Sequence, residues 1–324
     1  NSGLKMNRRN VSSGKQLGFL DTIGSINEIL TWFFLGILWL VSFLPYPVLV
    51  RLGNFIGLIL YRVSPHRREI MKINIERCLK IEGAESDALI KANYRSIGRG
   101  IFEMAIAWWS SEKRISKIDT RIINKEILEN SGEGILVLIK HSTHLELDLR
   151  LLSKYFDLSG MYKLQTNNVI NYVMISARNK YIKGSLTNKE AVKAIRWINS
   201  GRKFLYAADQ DYGLKVSEIV PFFGLDAATV TFPKILAEKK IKIVFADVSK
   251  IGDVFEIELR ELKTAESDHF LQNMNEIYSE FILKEKEGYL WMHRRFKSGY
   301  AESVYPKWSR RDRNREKRRI NRIN

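Results

Sequence analysis

The chain has 324 residues, 45% of them hydrophobic, which is enough for one large α/β domain or two smaller ones. Lysine and arginine number 53 against 36 aspartates and glutamates, and the net charge of +17 points to nucleic acid, a phosphorylated substrate or an anionic membrane surface. The single cysteine, Cys78, excludes an internal disulfide and favours a reducing compartment. No zinc-type Cys/His spacing, P-loop or GxGxxG motif after a strand occurs, so the sequence predicts neither a metal nor another cofactor.

An uncharged segment near the N-terminus predicts a membrane-inserting helix. Residues 29–44, ILTWFFLGILWLVSFL, include two Trp and three Phe. As a helix they rise roughly 24 Å, a little short of the ~30 Å hydrocarbon core, which continuation through PYPVLV would cross. Basic residues on both sides leave a full span and insertion into one leaflet equally open. We expect a polar segment at 1–28 and a membrane-inserting helical segment at 29–61, with a buried core helix as the alternative.

Alternating helical and strand patterns predict an α/β domain over residues 62–305. Three stretches have apolar residues at helical spacing, and three short aliphatic runs are typical of buried strands. The helical stretches are 85–109, 188–201 and 267–288, the last two ending in glycine, and the strand runs are 134–140, 203–209 and 241–249. The alternation favours a mixed, mostly parallel sheet covered by helices. The strongly basic stretch at 306–324 is expected to be a solvated or surface-lying tail.

A cluster of titratable side chains follows the first strand run, in KHSTHLELDLRLL at 140–152. It contains His141, His144, Glu146 and Asp148. Five residues rotate a helix by roughly 140°, so His141 and Glu146 meet only if the histidine lies in the turn before a helix that Glu146 enters. A neutral imidazole can take the proton of an attacking hydroxyl while a carboxylate on its other nitrogen fixes the tautomer. The residues alone leave His144 open as the base and Asp148 open as the carboxylate, and the polar face of a core element is the non-catalytic alternative.

Three segments resemble, in order, the signature segments of the late lipid A acyltransferases. They are HSTHLELDLRLL, FLYAADQDYG with VPFFG after it, and YLWMHRRFK. The resemblance extends from about Ile29 to Phe296 and implies a glycerolipid-acyltransferase-like fold with an N-terminal membrane helix, at the bacterial inner membrane and facing the cytoplasm. It further implies transfer of an acyl chain, lauroyl-like, from acyl carrier protein to the 3-hydroxyl of a hydroxyacyl chain on the Kdo-bearing lipid A precursor.

The same resemblance assigns catalytic roles to four residues. The His-x4-acid pair of the family falls on His141 and Glu146, which favours His141 over His144 as the general base. The functional arginine falls on Arg178, which would be an oxyanion donor or a substrate-orienting cation, with a surface arginine as the alternative. The functional aspartate falls on Asp209, which ends a strand run and would otherwise be a turn residue.

Further residues are expected to bind the phosphorylated acceptor. Lys163 stands where the family commonly has an arginine, and Tyr212 lies within ADQDYG. His293, Arg294 and Arg295 in WMHRRFK would bind phosphates and sugar carboxylates, since arginine binds such groups bidentately. A charged strand face at a sheet edge is the alternative for this last segment.

Two other functions stay open at this stage. One is an acyltransferase that acts on another glycolipid, possibly from acyl-CoA. The other is a non-catalytic membrane-bound binder of anionic lipid or nucleic acid, which the charge of +17 would suit. The favoured interpretation predicts acyl carrier protein, a phosphorylated glycolipid and the membrane as partners, and no nucleic acid.

Overall fold

The structure is a computed structural model that describes residues 18–129, 132–263, 269–300 and 302–306. Nearly all of the predicted basic tail at 306–324, and most of the predicted polar segment at 1–28, lie outside the described residues.

Within the described residues, eleven α-helices and nine β-strands alternate along the chain. The helices are α1 (Ile26–Val41), α2 (Tyr46–Val63), α3 (Pro65–Leu79), α4 (Gly83–Trp109), α5 (Glu112–Ile115), α6 (Glu126–Glu129), α7 (Leu145–Leu152), α8 (Asn168–Arg178), α9 (Ala191–Asn199), α10 (Phe232–Glu238) and α11 (Phe270–Lys284). The strands are β1 (Thr120–Ile123), β2 (Ile135–Ile139), β3 (Leu158–Tyr162), β4 (Gly184–Thr187), β5 (Lys203–Ala207), β6 (Ser217–Phe222), β7 (Leu225–Val230), β8 (Lys242–Ile251) and β9 (Val254–Glu261).

Seven of these strands form one sheet in the order β1-β9-β8-β2-β5-β3-β4, and β6 and β7 form a separate antiparallel hairpin. The strands β8, β2, β5, β3 and β4 run parallel to one another, whereas β9 is antiparallel to β8 and parallel to β1. The predicted mixed, mostly parallel sheet is therefore confirmed, and the three strand runs correspond to β2, β5 and β8. Parallel neighbours end at the same edge, so the segments that follow β2 and β5 lie side by side.

Helices cover both faces of this sheet because alternate residues of the buried strands point in opposite directions. In β2, Leu136 and Leu138 join the core formed with α3, α9, α10 and α11. Ile135, Val137 and Ile139 join the core on the other face, with α7, α8 and parts of α1 and α2. The long helix α4 contributes its first half to one core and its second half to the other, as its uninterrupted helical periodicity allows.

Two of the predicted helices end differently from each other. The helix predicted at 188–201 is α9, and Gly201 follows it with a φ of +87°, a conformation that favours glycine. The helix predicted at 267–288 is α11, which ends at Lys284, before the predicted glycine. A 3₁₀ turn at Lys286–Gly288 then carries the chain back towards the end of β2.

The segment predicted at 29–61 consists of two helices rather than one, because Pro45 lacks an N–H and begins a new helix. In the described chain, α2 is the helix that is long and apolar enough to cross a membrane, with a mean hydropathy of 1.2 and 17% of its residues buried. The helix α1 is shorter but also apolar. Large apolar side chains on both helices are exposed: Phe33, Phe34, Leu40, Phe55 and Ile59 among them. The division expected at 61/62 falls inside α2.

Glycines bring α2 into direct backbone contact with α4. A Cβ on Gly98 would lie 2.0 Å from the carbonyl oxygen of Gly53 and 2.6 Å from the nitrogen of Gly57. Gly53 and Gly57 have the GxxxG spacing that lets two helices approach closely in membrane proteins. Further along α4, a Cβ on Gly100 would lie 2.0 Å from the carbonyl oxygen of Thr143. The helix α4 therefore lies between the apolar helix α2 and the loop that follows β2.

Candidate active site

The loop after β2 is fixed by main-chain hydrogen bonds to the segment after α11. The N–H of Thr143 donates to the carbonyl of Gly288 at 2.7 Å, and the N–H of Leu290 donates to the carbonyl of His141 at 3.0 Å. Ser142, which lies between His141 and Thr143, forms an antiparallel bridge with Tyr289. The backbone of His141 is thus held in place at the carboxyl edge of the sheet.

His141 at the end of β2 contacts Asp209 just beyond the end of β5. Its Nδ1 lies 2.6 Å from Asp209 Oδ1, and its backbone N–H donates to Oδ2 at 2.9 Å. The Asp209 side chain is fully buried, while 19% of the His141 side chain is exposed. Burial opposes ionisation, but the imidazole and its hydrogen bonds outweigh burial and hold the pKa of Asp209 below its ordinary value of 3.8. In the neutral ring, Nδ1–H donates a hydrogen bond to the ionised Asp209, which leaves Nε2 unprotonated and able to act as a base.

Glu146 lies in the first turn of α7, as predicted, but its carboxylate does not contact His141. Its Oε2 accepts the indole N–H of Trp108 at 2.8 Å and Nε–H of Arg178 at 3.1 Å, and its Oε1 accepts from Arg178 Nη2. The prediction that Glu146 braces the His141 ring is therefore wrong, and Asp209 occupies that position. The helix α7 directs Glu146 towards α4 and α8, whereas the end of β5 is the direct neighbour of His141.

Arg178 ends α8 with 9% of its surface exposed. Its two hydrogen bonds to Glu146 hold the guanidinium plane in the bidentate geometry that arginine forms with carboxylates. Nη1 makes no hydrogen bond to any described residue, so it is available to a substrate. The structure thus joins two of the four predicted catalytic residues in one pair, and the other two in a second pair.

His144 is buried in an ion cluster beneath this loop. Its Nδ1 lies 2.5 Å from Asp148 Oδ1, and its Nε2 lies 3.2 Å from both carboxylate oxygens of Glu285. Burial favours the neutral ring, but the two carboxylates outweigh burial and raise the pKa of His144 well above its ordinary value. Asp148 also accepts a hydrogen bond from the hydroxyl of Ser142. With both nitrogens occupied, His144 cannot take a proton from a substrate, and His141 is the histidine left for that role.

Sequence reasoning missed a second buried cluster directly before His141. The ammonium of Lys140 forms an ion pair with Asp247 and donates to the carbonyl of Val248 at 2.9 Å and to Ser249 Oγ at 3.1 Å. It also missed Glu285, which accepts from the N–H of Lys250 at 2.9 Å as well as from His144. Ser249 lies 109 residues from Lys140 and Glu285 lies 141 residues from His144, so no local pattern marks these partners.

One residue of WMHRRFK is not the phosphate ligand that the sequence suggested, and a second is not a cation. Arg295 is 2% exposed, and its guanidinium donates to the carbonyl of Ala228 at 2.6 Å and to Thr229 Oγ1 at 3.0 Å. Its assignment as a phosphate ligand is therefore wrong, since it fastens the C-terminal segment to β7. Burial lowers the pKa of His293 to about 3, with help from nearby cations, so this ring is neutral. The segment forms turns rather than the strand considered as its alternative.

The remaining predicted ligands lie in different settings. The Tyr212 hydroxyl donates to the carbonyl of Ala207 at 2.9 Å, so its ring stands beside the end of β5. Lys163 is exposed and follows β3, the other neighbour of β5, at the same edge of the sheet. Arg294 is partly exposed in the turn after His293. These three stay predicted ligands of the acceptor.

Comparison with known proteins gives one consistent family. The model of the bacterial lipid A biosynthesis acyltransferases matches residues 18–298. The lipid A biosynthesis lauroyltransferase of Escherichia coli (strain K12) is 30% identical over 281 residues, 83% of this chain and 92% of that protein. The palmitoleoyltransferase of the same strain is 29% identical over 279 residues, 83% of this chain and 91% of that protein. Among solved structures, a 1-acyl-sn-glycerophosphate acyltransferase from Thermotoga maritima covers 71% of this chain and 94% of its own, with 11% identity and a TM-score of 0.36.

Proposed function

The chain belongs to the bacterial lipid A biosynthesis acyltransferase family and is an O-acyltransferase, and we propose that it moves an acyl chain from an acyl carrier protein thioester to the 3-hydroxyl of a hydroxyacyl chain on the Kdo-bearing lipid A precursor. Family membership removes the alternative of a non-catalytic binder. The observation that carries the mechanism is the 2.6 Å contact between His141 Nδ1 and the buried Asp209 carboxylate, at the edge where β2 and β5 end together.

In the proposed reaction, Nε2 of His141 takes the proton of the acceptor hydroxyl as the oxygen attacks the thioester carbonyl. Asp209 keeps the proton on Nδ1 and stabilises the imidazolium that forms, because a buried carboxylate beside the ring offsets its new charge. The tetrahedral oxyanion then collapses, the C–S bond breaks, and the imidazolium returns its proton to the departing thiolate. General-base assistance of this kind contributes ~10²–10⁴ in rate.

The pair formed by Glu146 and Arg178 orients substrate in this proposal. Trp108 donates to Glu146, Glu146 holds the guanidinium in place, and Nη1 of Arg178 is the group left to bind the acceptor or the donor. Glu146 is then a positioning residue that acts through Arg178 and not through His141. Lys163, Tyr212 and Arg294 would add contacts to the phosphorylated headgroup.

A site at the inner membrane, facing the cytoplasm, would bring the lipid acceptor to the enzyme. The exposed apolar side chains of α1 and α2 suit immersion in lipid, and the basic residues Arg51 and Arg62 on α2 suit an anionic surface at about 1 kcal/mol each. The close packing of α2 on α4, and of α4 on the loop of His141, would hold the reacting groups next to the bilayer. The donor is proposed to carry a lauroyl-like chain.

The test is a transfer assay on the purified full chain with detergent or lipid. Acyl carrier protein thioesters and acyl-CoA of several chain lengths are offered with the Kdo-bearing precursor and with an unrelated glycolipid, and products are weighed by mass spectrometry. We expect one acyl chain added to the precursor, from acyl carrier protein, by the wild type and by His269→Gln, but not by His141→Gln. The control His269 precedes the 15-residue helix α11 and so stands roughly 22 Å from its other end near the site. Product only on the other glycolipid, or only from acyl-CoA, would refute the proposed substrates.

A further inference from the structure

We propose that His293 is a second working histidine of the active site: a neutral imidazole with a fixed tautomer whose Nδ1–H donates a hydrogen bond to the oxyanion formed during acyl transfer. The inference rests on the function proposed above, because the oxyanion arises only when a hydroxyl attacks a thioester. It differs from the phosphate-binding role that the sequence suggested for this residue.

The tautomer follows from one hydrogen bond. The backbone N–H of Asp211 points at His293 Nε2, 3.1 Å away. A backbone N–H can only donate, so Nε2 must accept and cannot carry a proton. A neutral ring then has its proton on Nδ1. The N–H that imposes this choice is itself fixed, because the Asp211 carboxylate accepts from the N–H of Gly213 and from the N–H of Ser298, both at 2.8 Å.

The backbone of His293 is fixed from a second side by α3. The side-chain amide of Asn74 donates to the carbonyl of His293 at 2.7 Å and to that of Trp291 at 2.6 Å. The N–H of His293 donates to the carbonyl of Leu290 at 3.3 Å, and the N–H of Leu290 donates in turn to the carbonyl of His141. Two hydrogen bonds therefore connect the backbones of the two histidines, and a rigid frame surrounds the His293 ring.

Its neighbours identify the ring as part of the site of His141. Asp211 lies two residues after Asp209, the carboxylate that braces His141. Burial keeps the His293 ring neutral, and electrostatic interactions with Lys297, His141 and Arg295 act in the same direction against the opposing Asp209, so the pKa falls to about 3. His141 and His293 are thus close enough to interact electrostatically. A ring that stays neutral throughout the working pH range cannot compete with His141 for the substrate proton.

The remaining donor, Nδ1–H, has no hydrogen-bond partner in the part of the chain that the structure describes. His293 is partly exposed, so this fixed, neutral donor is open to an acceptor that arises during the reaction. The thioester carbonyl oxygen becomes negatively charged during attack, and a donor fixed in advance stabilises that charge without reorganising. His293 only donates a hydrogen bond; the substrate proton still passes to His141 and then to the thiolate.

Two substitutions distinguish the roles of the two ring nitrogens of His293. The amide nitrogen of His293→Asn falls where Nδ1 was and supplies a donor, but it does not reach the N–H of Asp211. The amide of His293→Gln reaches the Nε2 position, where its oxygen can accept from Asp211, and it leaves no donor at Nδ1. We expect His293→Gln to lower kcat by ~10²–10³ and His293→Asn to lower it by less than about tenfold, both with little change in KM.

The opposite order, or full kcat in His293→Gln, would overturn the proposal. A rise in KM for the phosphorylated acceptor at unchanged kcat would also overturn it, because that result indicates a headgroup ligand. Thermal unfolding of both variants shows whether a loss of kcat follows from a loss of fold.

A spectroscopic measurement on the full chain tests the tautomer without any turnover. In histidine ¹⁵N-labelled protein, we expect a ring besides that of His141 with protonated Nδ1 and unprotonated Nε2, unchanged from mildly acidic to mildly alkaline pH and missing in His293→Gln. An imidazolium or an Nε2–H tautomer for His293 would refute the inference even if acyl transfer is confirmed. A wild type that fails to acylate the precursor refutes the proposed function instead, and leaves the tautomer result standing.

Discussion

Replacing Asp209 by asparagine tests the central geometry of the site. Asp209 accepts from His141 twice, through Nδ1 and through the backbone N–H. Asparagine has one acceptor and one donor at these positions, so one of the two bonds must fail. An amide NH₂ facing Nδ1 moves the ring proton to Nε2 and removes the base. An NH₂ facing the backbone N–H would leave two donors opposed in a buried place, so asparagine adopts the first arrangement.

The magnitude follows from what each arrangement removes. Loss of general-base assistance lowers kcat by ~10²–10⁴, equivalent to about 2.7–5.4 kcal/mol of barrier at 1.36 kcal/mol per factor of ten. KM for both substrates should change little, because Asp209 is fully buried and cannot touch them. The unfolding free energy should fall by about 1–3 kcal/mol, because hydrogen bonds to a charged carboxylate are stronger than those to a neutral amide.

The assay is the acyl transfer reaction at saturating donor and acceptor, with denaturant unfolding measured on the same preparations. Asp157→Asn is the matched control, since that carboxylate is largely exposed, pairs with Lys183 and precedes β3 at the opposite edge of the sheet. A kcat for Asp209→Asn within threefold of wild type, in a folded protein, would refute the assignment of Asp209 as the carboxylate that serves His141.

The same substitution has a pH signature. The pKa of Asp209 is lower in the folded chain than its ordinary value of 3.8. Its carboxylate therefore contributes stability above that value, and this contribution is lost as pH falls through the folded-state pKa. Wild type should lose stability below about pH 4 more steeply than Asp209→Asn, as acid titrations of unfolding free energy would show. Parallel titration curves would contradict the depressed pKa.

Three further predictions follow from the described contacts. Glu146→Gln should lower kcat by only ~10–10², because it loosens Arg178 by about 1.5–3 kcal/mol and leaves the base intact; a loss as large as that of Asp209→Asn in the transfer assay would contradict the separate roles. His144→Gln should cost about 3–5 kcal/mol of unfolding free energy in denaturant titrations, since it leaves two carboxylates buried without their cation; a cost below 1 kcal/mol would argue against the ion cluster. Gly98→Ala should cost about 1–3 kcal/mol in thermal unfolding because α2 must move away, whereas Gly36→Ala, where nothing lies within 4 Å, should be neutral or slightly stabilising; equal effects would contradict the helix contact.

Several features of the fold were predictable because local patterns encode them. The aliphatic runs that form β2, β5 and β8 have apolar residues at consecutive positions, a pattern that predicts buried strands. The helical periodicity of α4 continues over 27 residues. The glycine after α9 marks a backbone conformation that needs no distant partner. The apolar helices near the N-terminus were also visible, although Pro45 divides them into two.

The partners of the site residues were less predictable. The family resemblance paired Glu146 with His141, but a motif says nothing about which way the first turn of a helix faces. The N-terminal turn of α7 directs Glu146 to Arg178, while the strand order places Asp209 next to His141 from 68 residues away. Arg295 likewise resembles a phosphate ligand in the sequence, but in the structure its guanidinium is buried and donates to β7.

The sequence by itself determined the α/β class, the apolar N-terminal helices and the histidine at the end of β2, because periodicity and short motifs are properties of neighbouring residues. Only the tertiary structure decided which carboxylate serves that histidine, which histidine is locked in a buried ion cluster and which one is kept neutral. These outcomes depend on strand order, on burial and on hydrogen bonds between distant segments, and the charge state of a side chain is set by those surroundings rather than by its position in the chain.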